Sequence, residues 1–395
     1  MSRPYIVFGQ PLIEEPEIQE VVASLKSAWL GTGPKVAEFE ARIAAYKGVK
    51  HAIAVNSCTA GLHLSCVVLG ISPGDEVILP AMTFCATVNA VIHAGGTPVP
   101  VDVDPDTFNM RPSDVEKAIT PRTRAIMPVH FAGRTCDMDG LMALARRRGL
   151  KVIEDCAHAV ETEYRGRKVG TFGDCGVLSF YSTKNVVTGE GGMILTNDDE
   201  ISQRAKMMAL HGMSADAWKR FSDKGYKHYD VVEVGFKYNM MDLQAAIGMH
   251  QILRVDEYWK RRKAIWDAYT EAFDDLPLGL PAPLEKDSRH ALHLFTVLVQ
   301  PDAGLSRDEL LMRLHERKIG TGVHYRAIPT YTVYKDKFGW DLEAFPNAKQ
   351  IGETTLSLPI SAKLTDDEVE YIIAEVRAAV GAKSKLAGFA AARRA

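Results

Sequence analysis

The sequence predicts an α/β protein: a mostly parallel, seven-stranded sheet between helices, followed by a smaller C-terminal α+β domain. Three observations carry this. Between residues 50 and 196, short apolar runs alternate with longer amphipathic stretches, the pattern of a buried parallel sheet with helical crossovers. After about residue 200 helical periodicity takes over and only isolated strand-like runs remain. The chain, at 395 residues, is also longer than one ordinary hydrophobic core accommodates.

The strand candidates are 51–55, 76–79, 98–102, 125–130, 151–154, 177–180 and 193–196, with helical stretches at 59–69, 84–94, 111–119 and 137–149. Ahead of them, 15–47 reads as two helices around the break Leu30-Gly31-Thr32-Gly33-Pro34. Beyond residue 200, helix is expected over 241–274 and 306–318, and strand over 292–300 and 322–325. Thr365-Asp366-Asp367-Glu368 has the form of a capping box and opens a last helix. The Ala-, Lys- and Arg-rich tail, 381–395, is expected to be a frayed helix or disordered. The expected division is a large domain over 1–250 and a smaller one over 251–395.

Composition excludes several function classes. Hydrophobic residues make up 46% and charged residues 25%, as in an ordinary globular enzyme. A net charge of -3 offers no general attraction to nucleic acid or an anionic membrane, so any bound anion must be caught locally. No apolar run approaches the roughly 20 residues that span a bilayer, and Met1-Ser2-Arg3-Pro4-Tyr5 has no signal-peptide pattern. The six cysteines form no CxxC pair and sit mostly in apolar segments, as buried thiols do in a reducing cytoplasm. Cys156 and His158 are neighbours, but no further ligand has the spacing of a metal site, and none is expected.

Four stretches carry chemistry. Val152-Ile153-Glu154-Asp155-Cys156-Ala157-His158 is an apolar strand ending in two acids. Carboxyl ends of strands line the ligand crevice of an α/β sheet, which places Asp155 against a bound molecule. Alone, such an acid could equally cap a helix. Gly176-Val177-Leu178-Ser179-Phe180-Tyr181-Ser182-Thr183-Lys184-Asn185 ends a second strand and delivers a lysine, followed by Gly189-Glu190-Gly191-Gly192 for a tight reversal. A lone loop lysine is usually a surface residue; its conjunction with an acid at a strand end about thirty residues upstream is what matters. Asn56-Ser57-Cys58-Thr59-Ala60-Gly61 follows the first strand and opens a helix, where free N–H groups and the helix dipole suit a phosphate. Phe84, in Pro80-Ala81-Met82-Thr83-Phe84 after another strand end, is placed to stack on a ring. Together these match the needs of pyridoxal 5'-phosphate (PLP): a carboxylate on the pyridine nitrogen, a lysine for a Schiff base, a phosphate cradle and a stacking ring.

In this order the stretches resemble the DegT/DnrJ/EryC1/StrS family of sugar aminotransferases, which are fold-type I PLP enzymes, over roughly residues 5–380. The most specific match is Ser179 to Asn185 with Glu190-Gly191-Gly192. The resemblance implies that Lys184 is the Schiff-base lysine and general base, Asp155 the pyridinium partner and His158 a neighbour of the cofactor ring hydroxyl. It assigns phosphate contacts to Ser179, Cys58 and Thr59, with the Ala60 backbone beside them, and stacking to Phe84. Cys58 departs from the Ala or Gly expected at that position. Gly235-Phe236-Lys237-Tyr238-Asn239-Met240 is similar to the segment that reaches into the partner subunit's site, which implies a homodimer with Asn239 on the other chain's phosphate. Gly31 and Thr32 would lie near the sugar, and His324, Tyr325 and Arg326 would contact substrate.

Within the family, His211-Gly212, Ala291-Leu292-His293-Leu294-Phe295 and the run from Gly320 to Arg326 look most like nucleotide-sugar 4-aminotransferases of the UDP-4-amino-4-deoxy-L-arabinose type. The implied reaction is a ping-pong transfer of the amino group of glutamate to a nucleotide-linked ketosugar, at C4. C3 amination or a cyclitol acceptor is the alternative. A dehydratase is disfavoured, because those relatives replace the lysine by histidine. A regulatory protein that binds PLP or a sugar nucleotide without turnover is disfavoured by the intact Asp155/Lys184 pair.

Overall fold

The computed structural model describes residues 3–214 and 228–381. Apart from Gly381, the tail expected to fray lies outside the described residues. Helices α1 (Glu15–Ser27) and α2 (Pro34–Lys47) lead into β1 (His51–Val55), α3 (Cys58–Val68), β2 (Glu76–Pro80), α4 (Cys85–His93), β3 (Thr97–Val101), α5 (Pro112–Ala118), β4 (Thr123–Ile126), α6 (Met138–Arg148) and β5 (Lys151–Asp155). A small hairpin of β6 (Glu163–Tyr164) and β7 (Arg167–Lys168) precedes β8 (Cys175–Ser179), β9 (Gly192–Thr196) and α7 (Asp199–Met208). The long α8 (Asp242–Phe273) then leads to β10 (Leu278–Gly279), β11 (Ser288–Arg289), β12 (Phe295–Val299), α9 (Arg307–Glu316), α10 (Thr332–Phe338), α11 (Pro346–Thr354), β13 (Thr355–Leu358) and α12 (Asp366–Ala379).

The main sheet has seven strands in the order β1-β9-β8-β5-β4-β2-β3. Only β9 runs antiparallel to its neighbours, so the other six bring their carboxyl ends to one edge. Alternation along each strand sends residues to opposite faces. Ile53, Val55, Val177 and Ile194 enter one core, and Ala52, Ala54, Leu178, Met193 and Leu195 enter the other. Both faces are covered, which is why these strands read as continuous apolar runs.

A separate core gathers Ile265, Trp266, Tyr269 and Phe273 from α8 with Phe295, Val297, Leu356, Leu358, Val369 and Ile372. Ile6 joins it through a parallel bridge to Ile319. The first half of α8 contributes Ala245, Met249, Ile252 and Val255 to a core of the main sheet. The division expected at 250/251 thus falls within one helix; we keep it as a proposal that limited proteolysis would test. The Thr365 capping box forms as expected, with Thr365 accepting from Glu368 N–H and Glu368 reaching back to Thr365 N–H.

Three expected strands differ. The run at 322–325 makes only a single bridge, Gly322 to Ser357, because the chain then turns away to carry Tyr325 to His158. The run at 292–300 is strand only from Phe295, since Ala291 and His293 instead donate backbone bonds to Gly133 and Ala132. β4 stops at Ile126, ahead of Pro128, which has no N–H to give. Among the described residues no helix is long and apolar enough to cross a membrane.

Candidate active site

β5 ends in Asp155, whose side chain is 4% exposed. Its Oδ2 accepts from Thr87 Oγ1 at 2.8 Å, and its Oδ1 from Ala157 N–H at 3.1 Å. Thr87 lies on α4 and is itself bonded to Thr83 at 2.8 Å. Burial pushes the Asp155 carboxyl upward, and these two hydrogen bonds and the Lys184 charge only partly offset it.

Lys184 comes from the loop between β8 and β9. Backbone bonds from Phe180 to Gly191 and from Thr188 to Phe180 close that loop, both at 2.9 Å, and Gly189 (φ 84°) makes its reversal. Lys184 is partly buried, and its Nζ has no hydrogen bond or ion pair among the described residues. Burial lowers its pKa from 10.5 to about 8, against the opposing pull of Cys58 and Asp155. Asp155 and Lys184 feel one another's charge but share no hydrogen bond or ion pair among the described residues.

Beside them lies the first turn of α3. The Ser57 hydroxyl caps it by accepting from Ala60 N–H at 3.1 Å, so that Ala60 donor is already used. The N–H groups of Cys58 and Thr59 have no acceptor among the described residues. β9 starts against this turn at Gly192, where a Cβ would lie 2.6 Å from the backbone of Ser57 and Cys58, so the approach requires glycine. Ser179 ends β8 with its side chain half-buried. Phe84, 55% exposed, caps α4 and lies 5.7 Å from the Tyr325 ring.

Three histidines and a tyrosine form one wall. Ala132 N–H donates to His158 Nδ1 at 3.2 Å, and His158 Nε2 lies 3.0 Å from the Tyr325 hydroxyl. The His293 ring is 4.5 Å from that of His158, and its Nδ1 bonds Asn185 Oδ1 at 3.0 Å. His324 bonds Ser357 through Nδ1 at 2.9 Å. Burial first, then the Lys184 charge, depresses all three, His324 to about 3 and the other two well below the usual range. Burial also pushes the Tyr325 phenol far up. Arg326 points outward instead, its guanidinium 5.3 Å from the Tyr331 ring.

Asn239, Thr32 and Gly31 assemble elsewhere. Asn239 bridges Val55 at the end of β1 and donates to Thr32 Oγ1 at 2.6 Å, while Gly31 O accepts from Asp242 N–H at 3.0 Å. With Trp29 and Lys206, Thr32 and Asn239 line a surface cleft of about 480 Å³. The Asn239 Oδ1 is buried there without a partner among the described residues. Among the described residues no side-chain hydrogen bond links this cluster to the Lys184 pocket.

Sequence reasoning missed Thr87 and the support behind Lys184. Asn185 Nδ2 donates to Glu161 at 2.9 Å and to Ala291 O at 3.0 Å, and Glu161 pairs with the buried Arg262. Asn185, next to the lysine, was within reach of inspection; Glu161 and Arg262 have no local signal. His130, Glu154 and Cys156 also bring ligand-type atoms within 4.8 Å of one another. Glu154, however, already accepts from His130 and from the N–H groups of Gly170, Phe172 and Gly173.

This donor set fits PLP: a buried carboxylate with lone pairs to spare, an unpartnered amine and two free N–H groups at a helix start. Residues 11–377 match the DegT/DnrJ/EryC1/StrS aminotransferase family. The chain is 47% identical over 376 residues to the spore coat polysaccharide biosynthesis protein SpsC of Bacillus subtilis (strain 168), covering 94% of this chain and 96% of that protein. Its structure is similar to the PMP-form of the putative sugar aminotransferase Spr1654 from Streptococcus pneumoniae, with a TM-score of 0.88, 34% identity and 95% and 99% of the two chains covered. It is also similar to Helicobacter pylori PseC, an aminotransferase involved in the biosynthesis of pseudoaminic acid, with a TM-score of 0.88, 28% identity and 96% and 99% covered. The chain therefore belongs to the DegT/DnrJ/EryC1/StrS family and is a PLP-dependent sugar aminotransferase of fold-type I.

Proposed function

We propose that this enzyme moves the amino group of glutamate onto C4 of a nucleotide-linked ketosugar, with Lys184 as covalent anchor and proton carrier. The observation that carries the reading is Lys184 itself: half-buried, without a partner among the described residues and lowered to about 8 beside the buried Asp155. An amine so lowered is roughly one-tenth unprotonated at pH 7, far more than an ordinary lysine, and in that form can attack a carbonyl or take a proton. When bound, PLP supplies an electron sink for the pair left as a proton departs the substrate carbon. Asp155 would hold a proton on the pyridine nitrogen. Lys184 Nζ would move the proton at the substrate carbon. The Cys58 and Thr59 N–H groups with the Ser179 hydroxyl would hold the phosphate, and Phe84 would cover the ring.

His324, Tyr325 and Arg326 are assigned to the sugar nucleotide. Arg326, exposed and free of a carboxylate partner among the described residues, suits a diphosphate, which guanidinium binds in a fork. With a net charge of -3, diphosphate capture must depend on such local cations. SpsC acts in polysaccharide biosynthesis by its name, which supports a sugar of that class here.

The enzyme is assigned to the cytoplasm as a C2 homodimer with shared sites. The Thr32–Asn239 cluster supports this, because Asn239 carries a buried oxygen without a partner among the described residues. Sedimentation of a fully active monomer would refute the dimer. A panel of nucleotide 4-ketosugars with glutamate, read by mass and by NMR of the product, tests the reaction. An amine at C3, or turnover only with a free cyclitol, would overturn the C4 reading.

A further inference from the structure

The hydrogen bonds around His158 run in one direction only. Ala132 N–H donates to Nδ1, so that nitrogen carries no proton. Burial and the charge of Lys184 keep the ring neutral. Its single proton therefore sits on Nε2, which donates to the Tyr325 oxygen at 3.0 Å. Tyr325 is left with its own O–H to donate, and no acceptor for that proton is found among the described residues. The neighbouring imidazole has the opposite arrangement: Asn185 Nδ2 is committed to Glu161 and Ala291, so its Oδ1 faces His293 and takes the Nδ1 proton. The titratable groups against Tyr325 among the described residues are His158, His324, Asp155, Cys58, Cys85 and Tyr331, none of them a cation at neutral pH.

We propose that Tyr325 is the residue that donates a hydrogen bond to an anionic oxygen bound in the Asp155–Lys184 pocket, and that His158 is a positioning residue that aims the Tyr325 proton. The oxygen belongs either to the ring of the cofactor or to the substrate; the chemistry is the same, a phenol donating to an oxyanion in a site of low dielectric. The proposal deepens the reading of this pocket as a Lys184-anchored PLP site and rests on it.

The experiment uses the holoenzyme with Tyr325→Phe, His158→Leu, His158→Gln and the Tyr325→Phe/His158→Leu pair. The first readout is the pH titration of the visible absorbance without substrates; the second is kcat and KM for the sugar. If the cofactor supplies the oxygen, Tyr325→Phe keeps the absorbance but raises its titration midpoint by about one pH unit, because an oxyanion that has lost a donor holds a neighbouring proton more tightly. His158→Leu gives the same rise, and the pair adds nothing further. His158→Gln, which can accept from Ala132 and donate to Tyr325, retains the wild-type midpoint. If the substrate supplies the oxygen, the midpoint stays and kcat falls roughly 30-fold at constant KM in both single variants and no further in the pair. Wild-type behaviour of Tyr325→Phe on both readouts, or additive effects in the pair, would overturn the proposal. Lys184→Ala tests the underlying reading separately, since only failure of the Lys184 anchor would leave the wild-type visible absorbance in that variant.

Discussion

Glu154 and Asp155 are adjacent acids at the end of one strand, buried to nearly the same degree, and they behave in opposite ways. Glu154 points to the face where the turn at 170–173 folds over it, and its two oxygens accept three backbone N–H groups and His130. Burial raises its carboxyl, but those donors outweigh burial and hold it low. Asp155 points to the Lys184 face and has two donors, so burial wins and holds it high. Depth is therefore not what separates a structural acid from a functional one. The count of donors is: a saturated carboxylate clamps the chain, and an under-supplied one is left to receive a proton-bearing ligand.

The largest test of this contrast is Asp155→Ala. It should slow amine transfer about 1000-fold, which is about 4 kcal/mol, while the melting temperature changes little; a variant within a few-fold of wild type would end the comparison. Glu154→Ala should do the reverse. It orphans buried N–H groups and should cost ~3 kcal/mol of folding stability, measured by denaturant unfolding, while the folded fraction keeps most of its activity.

Lys184 sharpens the same idea with the opposite charge. Its pKa is lowered in the folded chain, to about 8 from 10.5. Below pH 8 the folded chain must carry a buried ammonium, and above 10.5 the amine is neutral in both states. Lys184→Met should therefore stabilise the cofactor-free protein by ~2 kcal/mol at pH 7, with the gain shrinking as pH rises from 8 to 10.5. A difference independent of pH would show that the lysine charge is not strained. Arg326, exposed, marks the other extreme. Arg326→Ala should raise KM for the nucleotide sugar about 10-fold and leave that for glutamate unchanged; equal effects on both would remove its assignment to diphosphate.

Much of this was legible along the chain. Apolar runs bounded by turns located all seven strands, since a strand buried on both faces can be little else. The Thr365 cap was readable because a capping box lies within four residues. Asp155 and Lys184 were readable because each follows a strand into the crevice. The expectation of strand at 322–325 failed because only Gly322 of that run forms a backbone bridge to β13, at Ser357.

Local pattern thus determined the sheet and the Thr365 cap and set Asp155 and Lys184 after strand ends, because each depends on neighbours within a few positions. Tertiary structure alone decided which partners those residues keep. Thr87 meets Asp155 across 68 positions, Asn185 meets His293 across 108, and Tyr325 meets His158 across 167. A hydrogen bond acts over about 3 Å, so such pairs exist only once the chain has brought distant segments together. The direction of the Tyr325 proton, set by a backbone N–H at Ala132, is a property of that packing, which no residue type announces.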